Sequence, residues 1–255
     1  MSDVILEIKG DIAVLTLKNP SKLNALTIPM IEALESHLMR IDSDSTIRCV
    51  ILTGSGDKAF CCGADIAGWG HLTPAEFARH WVRNGHRVFD RFARLPQPTI
   101  AALNGHAFGG GLELASACDI RVISPRATLA LPEARVGIVQ GWSGTQRILR
   151  LLPEPVIKEM ALFGRRISAE RAMALGFAAE LAEDALVTAM EIANTLSQMS
   201  SRATEVSKNM IHAAAGEDRG AMVEALGSAA VAASEDREEG VAAFLEKRPP
   251  AFSGT

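Results

Sequence analysis

The residues best equipped for chemistry in this 255-residue chain are two glutamates and the glycine run that precedes the first of them. Asn104-Gly-His-Ala-Phe-Gly109-Gly110-Gly111-Leu-Glu113-Leu114 joins a short apolar strand pattern at 99–103 to a helical pattern. Three successive glycines are poor helix formers, so their place at a strand-to-helix junction needs a reason. Close backbone packing is one. The other is chemical: bare N–H groups at a helix start, aimed at an anion or a developing oxyanion where side chains would obstruct a substrate. Glu113 reads either as a helix cap or as an acid–base group. Glu133, in Leu131-Pro132-Glu133-Ala134, follows 20 residues later, after two short strands. One strand out and one back would return it to Glu113. Two carboxylates near an oxyanion hole suit proton transfer at carbons activated by a carbonyl. A second candidate segment, Phe60-Cys-Cys-Gly63-Ala64-Asp65-Ile66, follows a strand and a glycine-rich turn.

Other chemistries fail on inspection. Tyrosine is absent, so no phenol serves as acid, base or nucleophile. Gly54-Ser-Gly-Asp-Lys-Ala59 fits a dinucleotide fingerprint in spelling, but Phe60-Cys61-Cys62-Gly63 is a poor first helical turn, and an ordinary turn is expected. Gly141-Trp-Ser143-Gly resembles a nucleophile elbow but has Thr145 where the last glycine belongs. His71, His80, His86, His106 and His212 show no metal spacing and receive no catalytic role, and Cys61-Cys62 lacks a zinc-site partner. No metal is expected. The net charge of −4 leaves no footprint for nucleic acid or an anionic membrane. Four cysteines, an N-terminus without signal-peptide character and no apolar run near the ~18 residues of a membrane span point to a reduced, cytoplasmic protein.

The elements that must position these residues read as follows. Residues 3–18 alternate as a hairpin about Gly10-Asp11. Apolar residues at 28, 31, 34, 38 and 41 predict an amphipathic helix, and 49–52 a buried strand. A long helix is expected over 74–95, with further strands at 120–123 and 127–131. From about Gly144 the pattern is almost wholly helical and Ala-rich, a stretch that suits a subdomain or an oligomer contact. Strands interleave with helices in the first half and helices fill the second, an α/β class.

Together these pieces resemble the enoyl-CoA hydratase/isomerase, or crotonase, family nearly end to end. The matching pieces are Asn19-Pro20 with Leu23-Asn24-Ala25-Leu26, the Phe60–Ile66 segment, and the 104–114 segment with Cys118-Asp119-Ile120. Pro132-Glu133 with Gly137-Ile138, Gly144-Thr145-Gln146-Arg147 and Phe244-Leu-Glu-Lys247-Arg248 complete the set. The resemblance implies a spiral of β-β-α turns over 1–195 and a helical region over 196–255 that forms trimers, commonly paired as hexamers. It implies an oxyanion hole from the N–H groups of Ala64 and Gly110, and two glutamates, Glu113 and Glu133, holding a water. The residue matching Glu113 would activate that water and the one matching Glu133 would deliver the α-proton. Leu23, Ala25, Cys62, Ala64, Asp65, Ile66 and Gly110, with Phe244 and Lys247, match coenzyme A-binding positions, and Trp69 and Trp142 fall where the acyl group lies. Coenzyme A is then part of the substrate and no cofactor is required.

Isomerases of the family generally keep the carboxylate matching Glu133 and often lose the other, so both tilt the reading to hydration over isomerisation. The absent tyrosine narrows the reading to simple hydration or isomerisation, since certain lyases and ring-forming synthases of the family use one. A non-catalytic RNA-binding or scaffold relative is the remaining alternative, disfavoured by the charge. Trp142 stands where many hydratases carry a glycine-rich stretch, so a long-chain acyl group is less expected than the thioester itself.

Overall fold

A computed structural model describes residues 2–255. Two compact units divide the chain, the first ending at Thr204 and the second spanning Glu205–Thr255.

The first unit opens with the expected hairpin, β1 (Asp3–Lys9) and β2 (Ile12–Lys18), followed by α1 (Ile28–Asp42). Then strands come in pairs. β3 (Cys49–Gly54) and β4 (Ala59–Cys61) precede a helical segment made of α2 (Pro74–Glu76), a π turn (Phe77–Val82) and α3 (Arg83–Ala93). β5 (Thr99–Leu103) and β6 (His106–Phe108) precede α4 (Gly110–Ala115); β7 (Ile120–Ile123) and β8 (Thr128–Ala130) precede α5 (Gly144–Ile148) and α6 (Glu154–Phe163). β3, β5 and β7 join a six-stranded sheet in the order β1-β2-β3-β5-β7-β10, where β10 is Glu180–Leu181. β4, β6 and β8 join a four-stranded sheet closed by β9 (Ile167–Ser168). Each turn of the chain thus gives one strand to each sheet and then a helix, the β-β-α spiral of the α/β class expected from the sequence.

The long sheet is covered on both faces, which explains why β3 and β5 are apolar without alternation. Ala13, Leu15, Val50 and Leu52 face the main core with α1 and α3. Ile12, Val14, Cys49 and Ile51 face the other way, against Ala185, Ala189 and Ala193. Those alanines recur every four residues on α8 (Ala185–Thr195), following α7 (Ala169–Ala174), and their small side chains let the helix cover the sheet. Part of the Ala-rich stretch is therefore core cover within the first unit.

Three expectations need correction. Helices do not fill the second half alone, because β9 and β10 each extend a sheet edge by two residues. The helix expected over 74–95 carries a π turn in its middle. β7 and β8 do not run out and back in one sheet; they lie in different sheets, and the corner between them brings Glu133 round. The glycine-rich 54–59 segment runs into a strand, as its poor helix start foretold.

α9 (Ser201–Ala214), α10 (Gly220–Ala232) and α11 (Glu235–Glu246) supply the helices that lead into and build the second unit. Met210, Ile211, Val223, Val231, Phe244 and Leu245 there are more than half exposed. Among the described residues no helix is long and apolar enough to cross a membrane.

Candidate active site

The 60–66 segment is held in place by buried asparagine. Asn24, in a left-handed conformation, donates from Nδ2 to the carbonyls of Ala59 (2.8 Å) and Ser55 (2.9 Å). It thereby fixes Leu26, whose N–H donates to Gly63 O and whose carbonyl accepts from Asp65 N, both at 2.8 Å. The amide between those two, that of Ala64, donates to no backbone acceptor among the described residues, and neither does that of Gly110. A buried or half-buried N–H without a partner is rare in a folded chain. Gly63 and Gly110 pack backbone to backbone: a Cβ on Gly63 would stand 3.7 Å from the nitrogen of Gly110.

The three glycines at 109–111 answer to three different demands. Gly109 has φ +50°. A Cβ on Gly110 would stand 2.9 Å from the Trp142 ring, and one on Gly111 would strike the Cys61 carbonyl. The packing and chemical explanations of the run are thus divided among its members: Gly111 is there for packing, and Gly110 presents a free amide.

Glu113, on the first turn of α4, is 3% exposed. Its Oε1 accepts from the N–H groups of Trp142 (2.9 Å) and Gly144 (2.8 Å). These two donors flank Ser143, which adopts a left-handed conformation (φ 78°) and caps α5 with its hydroxyl 3.0 Å from His86 Nδ1. Gly144 is required here because a Cβ would lie 2.6 Å from Glu113 Oε1. Burial, with the charge of Glu133 adding to it, pushes Glu113 up to about 7, against the two amide donors and Arg147, which favour the anion.

Glu133 begins a 3-10 turn (Glu133–Val136) after β8 and is 7% exposed. Its Oε2 accepts from Gln140 Nε2 (3.1 Å), while Oε1 is buried without a hydrogen-bond partner. Burial raises its pKa, countered by its own backbone N–H and by Gln140. Burial therefore resists ionisation of both carboxyls. Glu113 has two backbone donors on its Oε1, whereas Oε1 of Glu133 has none.

Both glutamates open on one cavity of about 310 Å³, which Cys62, Ala64, Ile66, Trp69, Gly110 and Trp142 also line. Its remaining walls are mostly apolar, from Phe77, Trp81, Val82, Val136, Ile138 and Val139. All three tryptophans of the chain face it. Of the other expected site residues, Leu23 sits beside Cys62, accepting its N–H at 3.0 Å, and Asp65 pairs with Lys22 at 2.7 Å. Leu23, Ala25 and Asp65 do not line the cavity itself. Phe244 and Lys247, on and at the end of α11, belong to the second unit. Sequence reasoning missed Gln140, Ser143 with His86, and the facing of Trp81. No motif spelling marks them; a signal existed only in Ser143, the unusual residue of a glycine-flanked turn before a helix. Among the described residues no group of three His, Cys, Asp or Glu side chains could hold a metal ion.

Comparison with known proteins identifies the family. The sequence profile described as Enoyl-CoA hydratase/isomerase matches residues 7–255. The chain is 35% identical over 252 residues to the short-chain-enoyl-CoA hydratase of Clostridium acetobutylicum, covering 97% of this chain and 96% of that one. It is 35% identical to the crotonyl-CoA hydratase of Syntrophomonas wolfei, covering 98% and 97%. The crystal structure of an enoyl-CoA hydratase from Bacillus anthracis superimposes with a TM-score of 0.81 at 34% identity, over 99% of both chains. By a profile match that spans nearly its whole length and relatives that align end to end, the chain belongs to the enoyl-CoA hydratase/isomerase family.

Proposed function

We propose that the protein is an enoyl-CoA hydratase, adding water reversibly and syn across the double bond of a 2-enoyl-CoA thioester. The observation that carries the reading is the pair of buried glutamates opening on one apolar cavity beside two unengaged backbone amides. The relatives named for hydration of short-chain enoyl-CoA thioesters support the substrate class.

In this reading the thioester oxygen takes the amides of Ala64 and Gly110. A water held between the carboxyls loses a proton to Glu113 as its oxygen bonds to C3. The C2–C3 π electrons move toward the thioester, and the charge that develops on its oxygen meets two fixed donors. Glu133 then gives its proton to C2. Glu113 ends protonated and Glu133 ionised, and proton exchange with solvent restores the pair. Donors of this kind typically lower a barrier by ~2.7–4 kcal/mol each.

Leu23, Ala25, Cys62, Asp65 and Ile66 are assigned to the coenzyme A moiety, and Phe244 and Lys247 to coenzyme A carried by a neighbouring subunit. The exposed apolar residues of the second unit support self-association as a trimer or a pair of trimers. The four free thiols suit a cytoplasmic location. The test is turnover of crotonyl-CoA, followed by loss of the conjugated enoyl absorbance and identification of 3-hydroxybutanoyl-CoA. Formation of a shifted double bond instead of the hydroxyacyl product would make the protein an isomerase.

A further inference from the structure

Behind the catalytic cavity lies a second one of about 550 Å³, walled by Ile28, Ile31, Leu72 and Gly85 and, in equal part, by charged and polar side chains such as Glu32 and Arg83. Only Trp81 and Trp142 belong to the walls of both. Trp142 is 3% exposed, and its indole spans the distance between two helices. One edge lies over Gly110 on α4, where an added Cβ would come within 2.9 Å of Cε3 and Cζ3. The other edge fills the place a side chain would take at Gly85 on α3, where a Cβ would collide with Nε1 and stand 2.8 Å from Cδ1. Glycine is a poor choice inside a helix, and at this position it leaves a notch. The indole is pinned there: Nε1 donates to the Trp81 carbonyl at 3.3 Å, and the ring packs against Trp81 (5.0 Å) and edge-on to Phe89 (5.1 Å). Trp81 belongs to the π turn, a widened stretch of helix of the kind found at functional sites. At its other end the residue is fixed by its own N–H on Glu113.

We infer that Trp142, seated in the Gly85 notch and held by Trp81, is a partition that ends the acyl pocket and restricts the enzyme to short enoyl groups. This rests on the thioester reading above. An acyl chain that starts at the oxyanion amide of Gly110 meets the indole directly. A longer chain that continues past Gly110 must displace the ring from the notch, and the second cavity lies behind it. Gly85 is a positioning residue in this scheme and touches no substrate. An alanine there favours the helix locally, so its effect on selectivity comes from displacing the ring toward the catalytic cavity.

The experiment compares wild type, Trp142→Phe, Trp142→Ala and Gly85→Ala. It measures kcat/KM for trans-2-enoyl-CoA thioesters of four, six, eight and ten carbons, and calorimetric Kd values for the saturated butanoyl- and octanoyl-CoA, which need no chemistry. Wild type should favour four carbons over ten by at least ~100-fold, since the added carbons must push packed side chains aside to enter. Trp142→Ala should reduce that preference at least tenfold, Trp142→Phe by less, and both should tighten octanoyl-CoA relative to butanoyl-CoA. Gly85→Ala should sharpen the preference, mainly through KM for six carbons and above. Wild type with no length preference, or Trp142 variants with wild-type melting curves and unchanged ratios, would overturn the inference. Altered binding ratios without any hydration would overturn the hydratase reading and leave the partition standing. Failure to bind either saturated thioester would overturn both.

Discussion

On the proposed reading, the two ends of the cavity, chemical and acyl, are built by opposite means. At the chemical end, backbone does the work: the amides of Ala64 and Gly110 lie unengaged, and Glu113 is held by the amides of Trp142 and Gly144. At the acyl end, side chains do it: Trp69, Phe77, Trp81 and Trp142 form a wall of rings, Trp69 and Phe77 meeting edge to face at 5.5 Å. Backbone donors in a packed core cannot be retuned by substitution without moving the fold. Rings can be exchanged one at a time. The chemistry is thereby fixed and the acyl preference adjustable, and each end should fail in its own way when altered.

The largest failure belongs to the chemical end. Glu113→Gln should lower kcat for crotonyl-CoA by about 10³-fold and Glu133→Gln by 10²–10⁴-fold, with KM little changed, the range for losing one general acid or base. Gly144→Ala is the sharper test, because it removes no reacting group and only displaces one. Its methyl would stand 2.6 Å from Glu113 Oε1 and must push the carboxylate aside, for a loss of about 10²-fold in kcat. On the other wall, Phe77→Ala should raise KM several-fold with kcat near wild type, as expected when binding is lost equally from ground and transition states. Steady-state kinetics on the four variants decide the matter, and a kcat-only effect of Phe77→Ala would erase the distinction.

The same contrast governs what the sequence disclosed. That Gly109, Gly110, Glu113 and Glu133 meet at one cavity was legible as a candidate, because backbone donors and a few carboxylates leave contiguous spellings. So were β1, β2, α1, β3 and β5, whose apolar periods are long enough to read. β4 and β6 were not, since three residues inside a turn or a glycine-rich segment carry no period. The π turn was invisible because one extra residue in a helix barely disturbs an amphipathic pattern. The acyl wall suffered most. Its defining contact joins Gly85 to Trp142 across 57 residues, and neither residue alone announces the other. The helical pattern beyond residue 144 could not tell α8, which covers the sheet, from helices of the second unit.

Holding a carboxylate by burial also has a stability consequence, confined to the chemical end. Glu113 ionises about 7 in the folded chain against an ordinary 4.5. A raised carboxyl favours folding while it is protonated in both states, below about pH 4.5. The contribution is lost as pH rises toward 7, where the unfolded chain sheds its proton and the folded one does so at a penalty. Glu113→Gln removes the Glu113 part of that dependence and leaves the smaller part due to the raised Glu133. Denaturant titrations should find the variant more stable than wild type by about 3 kcal/mol at pH 8 and by little at pH 4.5. A variant weaker than wild type at pH 8 would mean that the two amide donors outweigh burial. Substitution of Phe77 or Val139 on the acyl wall leaves Glu113 in place and should shift stability from wild type by the same amount at pH 4.5 and pH 8.

The smallest effect is expected at Ser143, where the two ends meet. Its positive φ is unfavourable for an L-residue by about 1–2 kcal/mol, and its hydroxyl hydrogen bond to His86 returns about 0.5–1.5 kcal/mol. Ser143→Gly removes both, so thermal stability should stay within about 0.5 kcal/mol of wild type. Ser143→Ala keeps the strain and loses the bond, and should be weaker by about 1 kcal/mol. Neither should change kcat by more than about twofold, because the amides of Trp142 and Gly144 remain on Glu113 whatever side chain stands between them. A tenfold fall in kcat for Ser143→Gly would show that the hydroxyl, and through it His86 on α3, sets the aim of those amides. The chemical end would then depend on the same helix that carries the acyl wall, and the two could not be altered independently.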